Sequence, residues 1–255
     1  MRVFSHTCSN TEIVCALGAA DQLVGVDTDS DHPANVVAKL PKLGRDLELD
    51  VAAVCALEPD LVLSSLTVPG HERIVSALRE RGLQVYVADP QSLDDVYGDI
   101  LAIGRLLERL QAAQVLVAEM QQAMPERLLG QRPPVLVEWW PKPVIAPAAA
   151  SWVNQLLWKA GGCNPWAQAE GKSLQLETEA VLEAAPQAIV MSWYGVKVDK
   201  YRPQQVLKRE GWEQVPAVRG QRVLPISEEF LGRPGPRLVQ GYRALCAVVD
   251  ECLTA

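Results

Sequence analysis

The chain has 255 residues, 49% of them hydrophobic and 22% charged, a balance that fits a globular protein of one large domain or two modest lobes. Its formal net charge of −7 argues against a nucleic-acid phosphate binder, which needs a basic face. No apolar run reaches the ~18 residues of a membrane span, and six scattered cysteines without a CxxC pair give no basis for a disulfide framework or a zinc site.

The first third of the sequence alternates strand and helix patterns. VFS (3–5) reads as a strand, and SNTEIVCALGA (9–19) as a helix opened by a capping box of Ser9 and Glu12. LVGVD (23–27) is a strand, LDVAAVCAL (49–57) a helix stopped by Pro59, and DLVLSS (60–65) a strand. GHERIVSALRERG (70–82) is a helix closed by Gly82, followed by the strand LQVYVA (83–88). Such alternation implies a parallel sheet covered on both faces.

From Ser92 helical periodicity runs to Leu128, interrupted only at Pro125, with Asp94 and Asp95 complementing the N-terminal dipole. A single long linking helix is expected here, two helices with a bend being the alternative. After QRPP (131–134) the alternation resumes: strand VLVEW, helix SWVNQLLWKAGG, a loop through residue 175, helix LETEAVLEA, strand QAIVMSW, helix RPQQVLKREGW, strand QRVLPI and a last helix from Pro236 to Leu253.

Residues 49–65 and 176–192 repeat one unit at an offset of 127, with Leu49/Leu176, Asp50/Glu177, Pro59/Pro186 and Ser65/Ser192 in register. Each is an acid-started helix, a proline stop and a buried strand. The expected architecture is therefore α/β: two Rossmann-like lobes with parallel sheets, residues 1–91 and 131–255, joined by one long helix over 92–130, with a ligand cleft between the lobes.

In parallel sheets ligands bind beyond the carboxyl ends of strands. The aromatic excess, seven Trp against two Phe, falls there: Trp139 and Trp140 follow one strand, Trp193 and Tyr194 another, and Phe230 a third. Adjacent residues on a strand face opposite ways, so one indole of the EWWPKP segment packs under the strand end and the other forms a flat wall. Trp152 and Trp158 are expected in the core. Aromatic walls suit a large, flat, partly apolar ligand.

Catalysis is not expected. The chain has no Gly-rich phosphate loop, nucleophile elbow or HExxH, and its carboxylate pairs, Glu228-Glu229 and Asp94-Asp95, sit on a loop and at a helix start. His71 reads as an exposed helix start. Three histidines are few for an elemental zinc or manganese site.

Ser9-Asn10-Thr11-Glu12 through Ser30-Asp31-His32-Pro33 resembles the opening of the helical-backbone substrate-binding proteins of ABC importers, and of these most the vitamin B12 (cobalamin) binders. LEPDLVL (57–63), EWWPKP, SWVNQLLWKAGGCNP (151–165) and VPAVRGQRV (215–223) carry the likeness along nearly the whole chain. It implies non-catalytic capture of a corrinoid, with haem or a ferric siderophore as the alternative. The ligand would be gripped by aromatic and apolar side chains, with Leu66 and Trp166 joining the aromatic residues already named. Arg45, Asp46 and Glu228 would orient it. No intrinsic cofactor is expected, because the corrinoid is cargo.

The resemblance also raises expectations of single residues. His32 stands where the cobalamin binders often have tyrosine; it stacks, hydrogen-bonds, or serves as axial ligand to ligand-borne cobalt or iron. His6 and Cys8 either border the cleft or belong to a buried helix start. Glu72 matches a permease-docking glutamate of the first lobe, although an N-terminal helix acid explains it as well. The second-lobe stretch 195–208 is basic and lacks glutamate. The expected partners are a cobalamin or related tetrapyrrole and an ABC permease, for a monomer that binds no nucleic acid. With no leader in the sequence as written, the expected place is the cytoplasm; the alternative is a periplasmic or extracytoplasmic one after leader removal.

Overall fold

A computed structural model describes residues 1–254, which fall into two compact units. The first comprises Met1–Pro90 and Asp94–Glu119; the second comprises Gln91–Leu93 and the chain from Met120 onward.

The first unit contains β1 (Val3–Ser5), α1 (Cys8–Ala16), β2 (Leu23–Val26), α2 (Ala34–Val37), α3 (Val51–Ala56), β3 (Leu61–Ser65), α4 (His71–Glu80) and β4 (Val85–Ala88), then α5 (Leu93–Leu106) and most of α6 (Leu110–Ala123). Its sheet has the order β2-β1-β3-β4, all parallel. Strands in such a sheet are covered on both faces, and every residue of β1 and β3 is buried, polar Ser5, Ser64 and Ser65 included. Phe4, Val54, Val62, Ile74 and Leu78 form the core between sheet and helices. The Asp50 carboxylate caps α3 by accepting from the Ala53 N–H at 3.0 Å.

The second unit contains β5 (Val135–Glu138), β6 (Trp140–Pro141), β7 (Val144–Pro147), α7 (Trp152–Lys159), β8 (Ser173–Leu176), α8 (Thr178–Ala184), β9 (Ala188–Met191), α9 (Pro203–Leu207), α10 (Pro216–Arg219), β10 (Val223–Pro225), α11 (Glu228–Leu231) and α12 (Leu238–Leu253). Strands β10-β9-β5 make a parallel sheet, and β6-β7-β8 a separate antiparallel one. Leu136, Ile189, Met191, Trp193, Tyr201 and Trp212 belong to its core.

The 127-residue repeat is visible in the pairing. Leu61 of β3 faces Val3, and Ala188 of β9, 127 residues on, faces Val135. The order β1-β3-β4 thus recurs as β5-β9-β10. In this register His6, one residue past the end of β1, is the counterpart of Glu138, the last residue of β5.

Several expectations need correction. The 92–130 segment is not one helix: α5 and α6 are separated at Leu107–Arg109, where Glu108 takes φ 58°. The break buries Leu107 fully and brings α6 onto Gly104, where a Cβ would run into that of Ala113. The Arg109 N–H meets the Gly104 carbonyl at 2.6 Å, closing the end of α5. There is no capping box at Ser9 either, because α1 begins at Cys8, with Thr7 at its N-cap making no side-chain cap. The prolines of EWWPKP sit in the β6–β7 hairpin, and β8 lies where a loop was expected.

Trp152 is buried as expected, its indole N–H donating to the Leu231 carbonyl at 2.8 Å. Trp158 is instead exposed, because α7 turns Trp152, Val153, Leu156 and Leu157 inward. The Arg132 guanidinium stacks on the Trp158 ring at 3.6 Å. Among the described residues no helix is long and apolar enough to cross a membrane.

Candidate functional site

In the first unit a buried polar network fills the carboxyl ends of β1, β2 and β3. His6, fully buried, has Nε2 2.8 Å from the Asp46 carbonyl and Nδ1 2.8 Å from the Ser64 hydroxyl. A carbonyl only accepts, so Nε2 carries the proton and Nδ1 accepts from Ser64. Burial lowers the His6 pKa to about 4, against the raising effect of the Asp46 carbonyl, so the ring is neutral near pH 7.

His71 lies edge-on to His6, ring centroids 5.2 Å apart, with its Nε2 3.5 Å from the Asp46 carboxylate and Nδ1 3.4 Å from Ser65 Oγ. It is buried, contrary to the exposed helix start expected, because the first turn of the amphipathic α4 faces inward there.

Residues 42–48 run over these histidines. The Leu43 N–H donates to the Val26 carbonyl and the Thr28 N–H to that of Gly44, so the segment continues beside β2. The Asp29 carboxylate accepts from the Asp46 N–H at 3.2 Å and pairs with the Arg45 guanidinium at 3.2 Å. Arg45 remains exposed, its side chain 64% accessible. Asp46 is turned to the protein: Oδ1 accepts from the Leu47 N–H, while Oδ2 faces His71.

Asp27, at the end of β2, is buried and accepts from the Thr7, Asp29 and Ser30 N–H groups and from the Ser30 hydroxyl. Burial raises its pKa, with the Ser30 hydroxyl opposing. The Thr7 bond pins a backbone at φ 84°, ψ 140°, a conformation that costs a non-glycine residue about 1–3 kcal/mol. The Cys8 thiol donates to the Asp29 carbonyl at 3.1 Å. His32 is exposed, Leu66 is half-buried with its N–H on the Ala88 carbonyl, and Glu72 is exposed, its carboxylate accepting from the Gly70 N–H at 2.9 Å.

In the second unit Glu138 is fully buried at the end of β5. It holds Arg209 through 2.6 and 3.2 Å contacts and accepts from the Trp193 indole N–H at 2.9 Å. Arg209 lies 4.1 Å over the Trp212 ring. The Tyr201 hydroxyl donates to the Trp193 carbonyl at 3.0 Å, and burial pushes its pKa up to about 12.

Trp193, only 5% exposed, is therefore a core anchor and not an open wall as expected, because its indole N–H turns inward to the buried carboxylate. The exposed aromatic residues at the strand ends are Trp140 at 43% and Tyr194 at 42%. Trp139, half-buried, connects them: its carbonyl accepts from the Tyr194 N–H at 3.1 Å, and its N–H donates to the Ile145 carbonyl. The Trp140 indole donates to the Lys142 carbonyl at 3.1 Å, fixing the ring on the hairpin. Trp166 is half-buried against the core. Glu228, beyond β10, is buried with Arg233 at 3.0 Å, and Phe230 is half-buried with Arg237 5.6 Å over its ring.

The structure thus groups Arg45 with Asp46, and Trp139 with Trp140 and Tyr194. His71, Asp27, Glu138 and Arg209 are supporting groups that sequence reading did not assign, and His6, fully buried, agrees with the buried alternative expected for it. Among the described residues no set of three or more His, Cys, Asp or Glu is placed to hold a metal ion.

A sequence profile of the family described as periplasmic binding protein matches residues 3–229. An uncharacterised ABC transporter substrate-binding lipoprotein of Bacillus subtilis, YvrC, is 32% identical over 260 residues, covering 96% of this chain and 78% of the relative. A vitamin B12-binding protein of Vibrio cholerae is 24% identical over 249 residues, covering 96% and 87% respectively. Among solved structures, the periplasmic haem-binding protein RhuT from Roseiflexus sp. RS-1 is similar in fold, with a TM-score of 0.83 at 24% identity over 98% of each chain.

Proposed function

The chain belongs to the periplasmic binding protein family, and from that premise we propose that it captures a cobalamin-like corrinoid as the substrate-binding component of an ABC importer. The observation that carries the ligand class is the pair of exposed rings, Trp140 and Tyr194, held at the strand ends of the second unit. Planar apolar surface of this kind is suited to a large flat ligand whose faces lose water on binding. Arg45, held by Asp29, supplies an exposed polar group for the ligand's rim. The vitamin B12-binding protein of Vibrio cholerae, similar over 96% of the chain, supports the corrinoid within that class.

The work is capture, not catalysis. The corrinoid is cargo, no resident cofactor is needed, and the binding unit is a monomer. The lipoprotein relative supports an extracytoplasmic working place over the cytoplasm expected from the sequence as written. A permease is the partner, with Glu72 as the docking carboxylate of the first unit.

Haem is the second reading, favoured by the fold likeness to RhuT and by an exposed His32 imidazole that suits iron as well as cobalt. A ferric siderophore is the third. Tryptophan-fluorescence titration with cyanocobalamin, hydroxocobalamin and haemin separates the corrinoid and haem readings. One-to-one quenching by both cobalamins and little by haemin is expected. Response to haemin alone would move the protein to the haem reading, and silence in all three arms would sink both.

A further inference from the structure

We infer that His6 and His71 are positioning residues: His6 holds Asp46 from beneath by a hydrogen bond, His71 backs the His6 ring and the Asp46 carboxylate, and through Asp46 they set the 42–48 segment that presents Arg45 at the strand ends. The inference rests on the reading of Arg45 as a ligand-orienting group.

Three observations carry it. Both imidazoles are buried, so neither is available to a ligand, yet both are aimed at one residue. His6 donates to the Asp46 carbonyl across 40 residues of sequence, while the buried His71 Nε2 approaches the Asp46 carboxylate at 3.5 Å without forming a hydrogen bond, its ring edge-on to that of His6. The segment has little apolar anchorage of its own: Leu43 and Leu47 are half-buried, and Lys42, Arg45 and Glu48 are exposed.

Its other ties are polar as well. Asp29 binds the Asp46 N–H, the Lys42 ammonium reaches the Ser30 carbonyl at 2.9 Å, and Arg73 reaches the Leu47 carbonyl at 3.4 Å. Beside the backbone bonds that join Leu43 and Gly44 to the end of β2, the His6 bond is the tie that comes from a fully buried side chain, just past the end of β1. Buried, directional bonds set the position of a chain; exposed ones at long distances do so weakly.

Hydrogen exchange by mass spectrometry at pH 7 tests this on the full chain, comparing wild type with His6→Leu, His6→Gln, His71→Leu and His71→Gln. Glutamine keeps a donor near the imidazole Nε2 position; leucine removes it. The expected result is about tenfold faster exchange in peptides spanning 42–48 in the leucine variants. Peptides across β3 should stay within about twofold of wild type, and the glutamine variants should restore protection. Should the leucine variants not fold, His6→Asn, too short to reach Asp46, replaces them with the same expectation. Unchanged exchange at 42–48, or an increase spread evenly through the first unit, overturns the positioning role.

A parallel cyanocobalamin titration separates the two levels. A wild type that does not bind overturns the proposed ligand and leaves the exchange result to decide the histidines' role. A wild type that binds, with leucine variants that loosen yet bind equally well, overturns the link from this segment to capture.

Discussion

The Glu138 carboxylate sits in the fork of the Arg209 guanidinium, 2.6 Å from one nitrogen and 3.2 Å from the other, and is itself fully withdrawn from solvent. A buried pair adds little over an apolar substitute, but losing one partner strands the other charge. Arg209→Met should therefore destabilise the protein by about 3–5 kcal/mol. The double variant Glu138→Gln/Arg209→Met should recover most of that. Urea denaturation of wild type, Arg209→Met, Glu138→Gln and the double variant checks it; a double variant as unstable as Arg209→Met would mean the guanidinium matters through packing on Trp212.

Trp140 and Trp193 should behave oppositely. Trp193→Ala removes a buried indole and its bond to Glu138, at a cost of about 3–5 kcal/mol of stability. Trp140→Ala should leave stability within about 1 kcal/mol and weaken cobalamin binding by about 1–3 kcal/mol. Thermal denaturation beside fluorescence titration distinguishes the two. Full affinity in Trp140→Ala would remove that ring from the ligand wall.

Acid should destabilise the first unit through His6. Its folded pKa, about 4, lies below its ordinary value of 6.5, so the unfolded chain binds more protons between these values. The sign follows: this contribution to stability is complete above about pH 6.5 and is lost as pH falls towards 4, by about 3 kcal/mol in total. Stability curves of wild type and His6→Gln at pH 4.5 and 7 measure it, and the variant should show the smaller difference.

Gly44 has φ +89°, and a Cβ there would run into the Glu48 carbonyl oxygen. Gly44→Ala should cost about 1–3 kcal/mol, both from the left-handed backbone and from the clash, and should displace the segment carrying Arg45. Chemical denaturation and the hydrogen exchange of 42–48 read the two effects separately. A neutral substitution would mean that the segment relaxes freely.

The parallel framework was readable because it rests on local signals: the Asp50 cap, the prolines at 59 and 186, and apolar runs of strand length. The small antiparallel sheet was not, since β6 is two residues long and prolines lie along the hairpin. Nor was the break at Glu108, where the sequence offers helix-forming residues and the reason is the packing of Gly104 on Ala113. The exposed Trp140 belongs to a segment that the aromatic excess had marked. The buried groups behind the strand ends were illegible, because His6 meets Asp46 and Glu138 meets Arg209 only through the folded chain.

The matched register of His6 and Glu138 bears on how freely each half can change. A neutral imidazole holding a backbone carbonyl fastens the chain's path whatever side chain the held residue carries. A carboxylate must be answered by particular donors, here Arg209 and Trp193. The same framework position thus leaves the 42–48 segment open to new side chains on a fixed path, while in the second unit positions 193 and 209 are bound to side chains that answer the carboxylate. Ligand preference should evolve, or be redesigned, more readily from the first half than from the second.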